Sequence, residues 1–460
     1  MLRRTLFISA ALALGACAGT PQLAVAPDVA APARFTALPE ATAAAEADWI
    51  VSLGDDALPA LVAEALANNP DLLAAAANYD AARASARAAG AARLPALDGG
   101  LIAQGLEGSS QLYNLGLDAS WTADVWGRLS DQARAGALNA EAAQADLHGA
   151  RLAIAGATAR SWFALTEARL QTDLARRDTE TRARQLDIVD RRFARGVARS
   201  SDVRTARSAL ASAEAALASR IAAERATARA LETLLGRYPA AETQSAETLP
   251  ALAALPAPGD PAPLLARRPD IVAAERSLAA AGFSAEAARK ALYPSLSFQG
   301  SVGNVATDIS DLFSTASLAE SLTASITGPI FRGGALRAER DRTEALARIQ
   351  AAQYVNTVLS AFEEAENAIY ADQRLAERVA ALEEARAEAE AALGLVERQY
   401  AQGVATIFEL IDAQSRLIVA EGQLISARRD RLDNRVALHL SIAGDFAAGG
   451  GITGAGVQDV

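Results

Sequence analysis

The chain has 460 residues, of which 51% are hydrophobic, 5% aromatic and 22% charged, with a formal net charge of −11. Losing Arg3 and Arg4 with the leader described below takes the balance to about −13, which argues against a polyanion-binding surface and against nucleic acid as a partner. Alanine, the best helix former, supplies much of the hydrophobic share, and a single cysteine excludes an intramolecular disulfide.

Residues 1–16 carry Arg3 and Arg4 followed by the apolar run Leu6 to Leu14, the form of a secretory signal and too short for a membrane span. The run ends Leu14-Gly15-Ala16-Cys17, which resembles the bacterial lipoprotein box, with cleavage before Cys17 and acylation of its thiol; a structural cysteine is the alternative. Ala18 stands where an aspartate would resemble an inner-membrane retention signal, so the expectation is the outer membrane. Residues 17–48 are rich in alanine and proline and read as a tether for that anchor.

Two copies of one pattern follow, at 49–236 and 264–446. Pro70-Asp71 returns as Pro269-Asp270, and Pro95 returns as Pro294, each 199 positions later; Phe193-Ala194-Arg195-Gly196-Val197-Ala198 returns 207 positions later as Tyr400-Ala401-Gln402-Gly403-Val404-Ala405. In the first copy a helix is expected from about Ala57 to Ala92. It is followed by a glycine-rich alternating stretch from Leu94 to Gln104 and a clear strand from Leu112 to Val125. On that strand Tyr113, Leu115, Leu117, Ala119, Trp121 and Ala123 share one face, and Asn114, Gly116, Asp118, Ser120 and Thr122 share the other. In the second copy Leu296, Phe298, Gly300 and Val302, and later Leu318, Leu322, Ala324 and Ile326, repeat the alternation. Strands of about ten residues, apolar on one face and small and polar on the other, suit a water-filled membrane barrel, and a soluble sheet shares the pattern. Their isolation between long helices, with Tyr113, Trp121, Trp126, Tyr293 and Phe331 near the ends, favours the barrel.

Breakers at 124–128 and 328–334 lead into proline-free helices expected over Leu129 to Ala194 and Ala335 to Ala401, each about 100 Å long at 1.5 Å per residue. The returning helices, starting near Ser201 and Ile407, carry a seven-residue apolar repeat: Val203, Leu210, Leu217 and Leu231, then Leu410, Leu417, Leu424 and Leu438. Each copy therefore ends in a long helical hairpin. Residues 237–263, dense in proline, glycine, threonine and glutamate, form a connector between the copies, and the glycine-rich 447–460 is a flexible tail. Internal symmetry of this kind suits closure into a ring better than one catalytic cleft.

No catalytic constellation stands in the sequence. His148 and His439 sit in long helices without a paired acid or metal-ligand spacing and read as packed or solvated, so neither an enzyme nor a metal or cofactor site is expected beyond lipid on Cys17. Glu409 and Asp412, three residues apart after the second tip, fall on one helix face. They read either as acids complementing a helix N-terminus or, were three chains to converge, as rings of carboxylates narrowing a pore. Asp202 and Arg199 in the first tip read as partners for Tyr400 of the second.

With these residues in view, the chain resembles the outer membrane factors, TolC-like trimeric ducts. The Cys17 box and the turns at 124–128 and 329–334 look most like the lipoprotein subgroup of resistance-nodulation-division efflux systems. The resemblance implies a mainly α fold with a β-barrel: a homotrimer with a 12-stranded outer-membrane barrel continued by a long periplasmic α-helical barrel. It would pass small molecules such as drugs from an inner-membrane transporter and a periplasmic adaptor to the exterior, without catalysis. By resemblance Glu409 and Asp412 are periplasmic gate acids, Tyr400 a tip-linking tyrosine and Asp202 its acidic partner. Ala405 stands where some members have a linking arginine, so Arg199 is expected to serve the latch. A type I secretion duct of the same family and a lipidated coiled-coil adaptor are the alternatives.

Overall fold

The structure, a computed structural model, describes residues 27, 31–32, 34–37, 49–105, 111–253, 255, 261–262, 267–314 and 318–442. The leader, Cys17, most of 17–48 and the 447–460 tail lie outside them. In order the elements are α1 (Trp49–Ser52), α2 (Leu58–Asn68), α3 (Pro70–Ala91), β1 (Ala96–Gln104), β2 (Leu112–Ala123), α4 (Arg128–Ala194) and α5 (Ser200–Leu234). Then come α6 (Pro269–Lys290), β3 (Ser295–Ala306), β4 (Leu318–Thr327), α7 (Ala335–Ala401) and α8 (Ile407–Ser441). The two series match in length: α3 and α6 have 22 residues each, α4 and α7 have 67, and α5 and α8 have 35.

The single helix expected over 57–92 is two helices. Asn69, ahead of Pro70, is driven into extended backbone (φ −67°, ψ 125°), because a proline disfavours the helical conformation of the residue before it. Its side chain then restarts the chain: Oδ1 accepts from the N–H groups of Asp71 and Leu72 at 2.9 and 3.1 Å, while Nδ2 donates to the Leu234 carbonyl at 2.8 Å.

The chain divides into two compact units. One gathers Ala76–Leu147 and Asp270–Val358 and contains the sheet. All four strands join in one antiparallel sheet of order β1-β2-β3-β4, so the strand pairs of the two copies meet edge to edge at β2 and β3. The join is close: Gly116 pairs with Gly303, and a Cβ on Gly303 would lie 2.6 Å from the Leu115 carbonyl oxygen. At the ends of the sheet, Trp121 stacks on Phe298 with centroids 5.5 Å apart, and Trp126 meets Tyr293 at 5.2 Å while donating to the Pro294 carbonyl. Lys290, the only lysine of the chain, closes α6 onto the start of α4 through Nζ to Asp131 Oδ2 at 2.5 Å, with the Asp131 side chain buried.

The other unit gathers Ala31–Ala75, His148–Pro269 and Leu359–Val460. Its main core packs Trp49, Leu53, Leu58 and Val62 against Trp162, Phe163 and Leu165 of α4, Leu231 of α5, and Leu432 and Val436 of α8. Glu232, at the end of α5, organises the connector: its buried carboxylate accepts from the N–H groups of Ala241, Glu242 and Thr243 at 2.6, 2.6 and 2.9 Å. Burial alone would raise its pKa, and these bonds hold it below the usual carboxylate value. Among its described residues, the segment read as a tether is pinned at Phe35 to Ala37. Phe35 is buried among Ala365, Ala368, Ile369 and Leu438, and Glu366 accepts from the Thr36 and Ala37 N–H groups at 2.7 and 2.9 Å. His439 is packed: burial, with Arg435 nearby, pushes its pKa down to about 4, and its ring stacks on Trp49 at 5.7 Å.

Candidate functional site

Two regions carry the features the sequence singles out: the faces of the sheet and the hairpin tips. In the sheet, the register places Leu97, Ala119, Gly300 and Leu322 in one row and Leu101, Leu115, Asn304 and Leu318 in another, so the apolar face runs unbroken across all four strands. It leaves Leu97, Leu101, Leu117, Trp121, Val302, Leu318, Leu322 and Ile326 exposed, Leu322 at 83%. A continuous apolar face of this extent is not a surface made for water. Two residues on it escape the alternation. Glu320 pairs with Val302 near the start of β4, and Asn304 is buried and donates to the Leu312 carbonyl at 2.9 Å, tying the β3–β4 loop down. Opposite lies the polar face, with Asp98 against Asp118, then Ser301 and Ser321, whose hydroxyls are 2.8 Å apart.

The two tips are built alike. Gly196 and Gly403 take φ of 72° and 77°, and the N–H groups of Val197 and Val404 reach back to the carbonyls of Arg192 and Gln399, both at 2.9 Å. Each returning helix then opens with an acid that folds back on the backbone. Asp202 Oδ2 accepts from Arg199 N at 3.0 Å, and Glu409 Oε2 accepts from Thr406 N at 2.5 Å and Thr406 Oγ1 at 2.9 Å. Glu409 N donates to Thr406 Oγ1 at 3.3 Å, completing a reciprocal capping box. Glu409 is thus the second-copy counterpart of Asp202, and its bonds to Thr406, the backbone one first, hold its pKa below the usual range. Asp412 is free of this duty; it pairs with Arg416 one turn on at 2.8 Å, both side chains exposed.

Under the tips, Val189, Val203, Ala206 and Ile407 form a small core that Tyr400 and Ile411 flank. Arg192, not Arg199, lies over the Tyr400 ring, 4.9 Å from its centroid, with Nη1 donating to the Tyr400 carbonyl at 3.3 Å. Burial raises the Tyr400 hydroxyl pKa, with Arg192 opposing and Asp202 adding to the rise. Sequence reasoning missed Arg192 because its second-copy counterpart is Gln399, so the repeat gave no signal. The available cue was its position one helical residue before Phe193, the counterpart of Tyr400. Among the described residues no group of His, Cys, Asp or Glu is arranged to hold a metal ion.

The family model described as outer membrane efflux protein matches residues 61–237 and 261–444. The toluene efflux pump outer membrane protein TtgI of Pseudomonas putida is 31% identical over 411 residues, covering 85% of this chain and 86% of its own. The cation efflux system protein CusC of Escherichia coli (strain K12) is 28% identical over 407 residues, covering 86% and 89%. Among solved structures, the outer-membrane channel OprN aligns with a TM-score of 0.81 at 30% identity, over 92% of this chain and all of that one.

Proposed function

The chain belongs to the outer membrane efflux protein family and is the outer membrane channel component of an efflux pump; on that premise we propose that it works as a homotrimer, each copy giving four strands to one 12-stranded barrel. The sheet carries this reading. Its β1 and β4 each have one strand partner among the described residues, its apolar face is exposed from edge to edge, and four strands are too few to close a barrel. Three copies supply both the missing partners and a lipid-facing band around a polar lumen. The helical hairpins form the periplasmic tunnel, their tips engage a periplasmic adaptor, and an inner-membrane transporter drives the cargo. Small molecules, as in the toluene and cation systems of the relatives, are the cargo class. Acylation of Cys17 adds a lipid anchor to the barrel's own hold on the outer membrane.

At the tips the two acids divide the work. Glu409 spends its carboxylate on its own helix start, so it acts as a strut, while Asp412, exposed and held only by a surface pair, presents the charge of a cation-selective constriction. Asp412→Asn should therefore change the cation preference of single channels more than Glu409→Gln; equal currents for wild type and Asp412→Asn would remove the gate role.

Single-particle imaging of the mature protein extracted in detergent tests the assembly. A threefold hollow particle with a barrel cap is the expected result, and a monomer without a barrel would overturn the trimer. Deleting the gene and scoring survival against organic solvents, dyes and metal salts, alongside secreted protein, separates small-molecule efflux from protein secretion.

A further inference from the structure

Between the tip and the main core, the contact between α4 and α8 carries a run of polar bonds. From the tip inward, Arg182 reaches Ser415 at 3.3 Å, and Gln171 donates to the Gly422 carbonyl at 2.8 Å and to Ser426 at 3.3 Å. Ser426 donates to Glu167 at 2.6 Å, and Arg429 stands 3.8 Å from Glu167. Four buried polar atoms on this contact, Gln185 Nε2, Gln414 Oε1, Arg429 Nε and Asp433 Oδ1, have no hydrogen-bond partner among the described residues. Buried groups left in that state weaken the interface that holds them. Gly422, mid-helix, adds a residue of weaker helix preference than alanine, and a Cβ there would lie 3.3 Å from the Gln171 amide oxygen.

At the inner end one guanidinium is shared by three carboxylates. Arg429 pairs with Asp433 one turn on, with Glu167 of α4 and, at 3.9 Å, with Asp430. Asp430 also takes Arg378 of α7 at 3.0 Å, and the charge of Arg160 on α4 also acts on Asp433. Asp433 is half-buried like Glu167, but it is the carboxylate of the set with a buried oxygen, Oδ1, that has no hydrogen-bond partner among the described residues, so its charge is the one the surroundings tolerate least.

We propose that the α4–α8 contact is a weak seam tuned by protons, which closes when Asp433 takes one up and loosens when Asp433 is ionised. The proton neutralises the carboxylate with the unpaired oxygen, so that oxygen no longer carries charge on the contact, and leaves Arg429 shared by two carboxylates, Glu167 and Asp430, in place of three. Burial supports this by pushing the Asp433 pKa up to about 6, with Asp430 and Glu167 adding to the rise and Arg429 and Arg160 opposing it. The sign follows: a carboxyl whose folded pKa lies above its unfolded value of 3.8 stabilises fully below about pH 4, and that contribution is lost as pH rises through about 6. The seam holds this property within one chain, whether or not three chains assemble.

His439 titrates in the same window with the opposite sign, so the test is a difference between variants rather than a profile of the wild type. Full-length wild type and Asp433→Asn, both in detergent, are melted between about pH 4 and about pH 7. The melting temperature of Asp433→Asn minus that of wild type should be near zero at the acid end and grow by about 2 °C or more toward neutrality. A difference that stays constant across the range overturns the proposal. Asp433→Leu, which removes the buried charge without introducing an amide, should give the same widening, and it carries the test if the asparagine variant does not fold.

Discussion

The returning helices α5 and α8 have the same length, the same seven-residue leucine repeat and counterpart tips, yet α5 buries six residues and α8 thirteen. On α5, Leu210 and Leu217 are only half-buried. On α8, Leu424 and Leu438 are buried, and Arg435 is sealed in an ion pair with Asp372 at 3.0 Å. The repeat fixes which residues share a helix face, and the neighbours decide whether that face becomes core. Phe35 and the α7 residues around Ala368 cover the inner end of α8, while α5 keeps exposed surface of the kind that a second copy would cover in the proposed trimer.

The sharpest way to break the comparison is to truncate matched leucines. Leu438→Ala should cost about 2–5 kcal/mol by opening a cavity against Phe35, Ala365 and Ile369, whereas Leu217→Ala should cost about 1 kcal/mol or less in the monomer. Denaturant midpoints of the variants under conditions that keep the chains monomeric decide it; similar shifts for both would mean that the asymmetry is not energetic. Next come the counterparts Glu232 and His439, which end the two helices differently. Glu232→Gln leaves three connector N–H groups poorly matched and should cost about 1–3 kcal/mol at neutral pH.

His439 is neutral in the fold, with its pKa at about 4 against a usual 6.5. Its stabilising contribution is therefore present above about pH 6.5 and lost as pH falls toward 4. His439→Phe keeps the stack on Trp49 and should flatten that acid-side loss; an unchanged profile would assign the loss elsewhere. A smaller effect is expected at the tips. Thr406→Ala removes a side-chain cap and should cost about 1 kcal/mol, while Arg199→Ala, at a position that caps through its backbone N–H, should cost almost nothing. Smallest of all, Asp98→Asn relieves the like-charge pair with Asp118 and should raise stability by about 0.2–1 kcal/mol; a loss instead would mean that the pair shares a proton or cation.

Much of this is legible in the chain itself. The alternation over 112–125 and 296–302 places the apolar face on the residues that the register aligns, and the long helices begin and end within a residue of where their breakers put them. What escapes is what each residue binds once the backbone is set, even when the partner is near in sequence. Nothing near Asn304 foretells its bond to Leu312, a bond that lets an amide sit on an apolar face. Pro70 reads as a repeat marker, while its effect as the cause of a break at Asn69 shows only in the backbone. At the tips the acids Glu409 and Asp202 are visible, but their equivalence as helix caps is not, because a repeat offset shows only which residues correspond and not what each one binds.

Lys290 has a chemical consequence. With 44 basic residues and only one lysine, the chain offers amine-directed reagents a single side-chain target, and that amine is already held by the buried Asp131 carboxylate where α6 meets α4. Acylating reagents and amine crosslinkers thus have almost nothing to grip on the folded surface. Any label that does enter reports on one place, the foot of the strands, and marks the moment at which that joint comes apart.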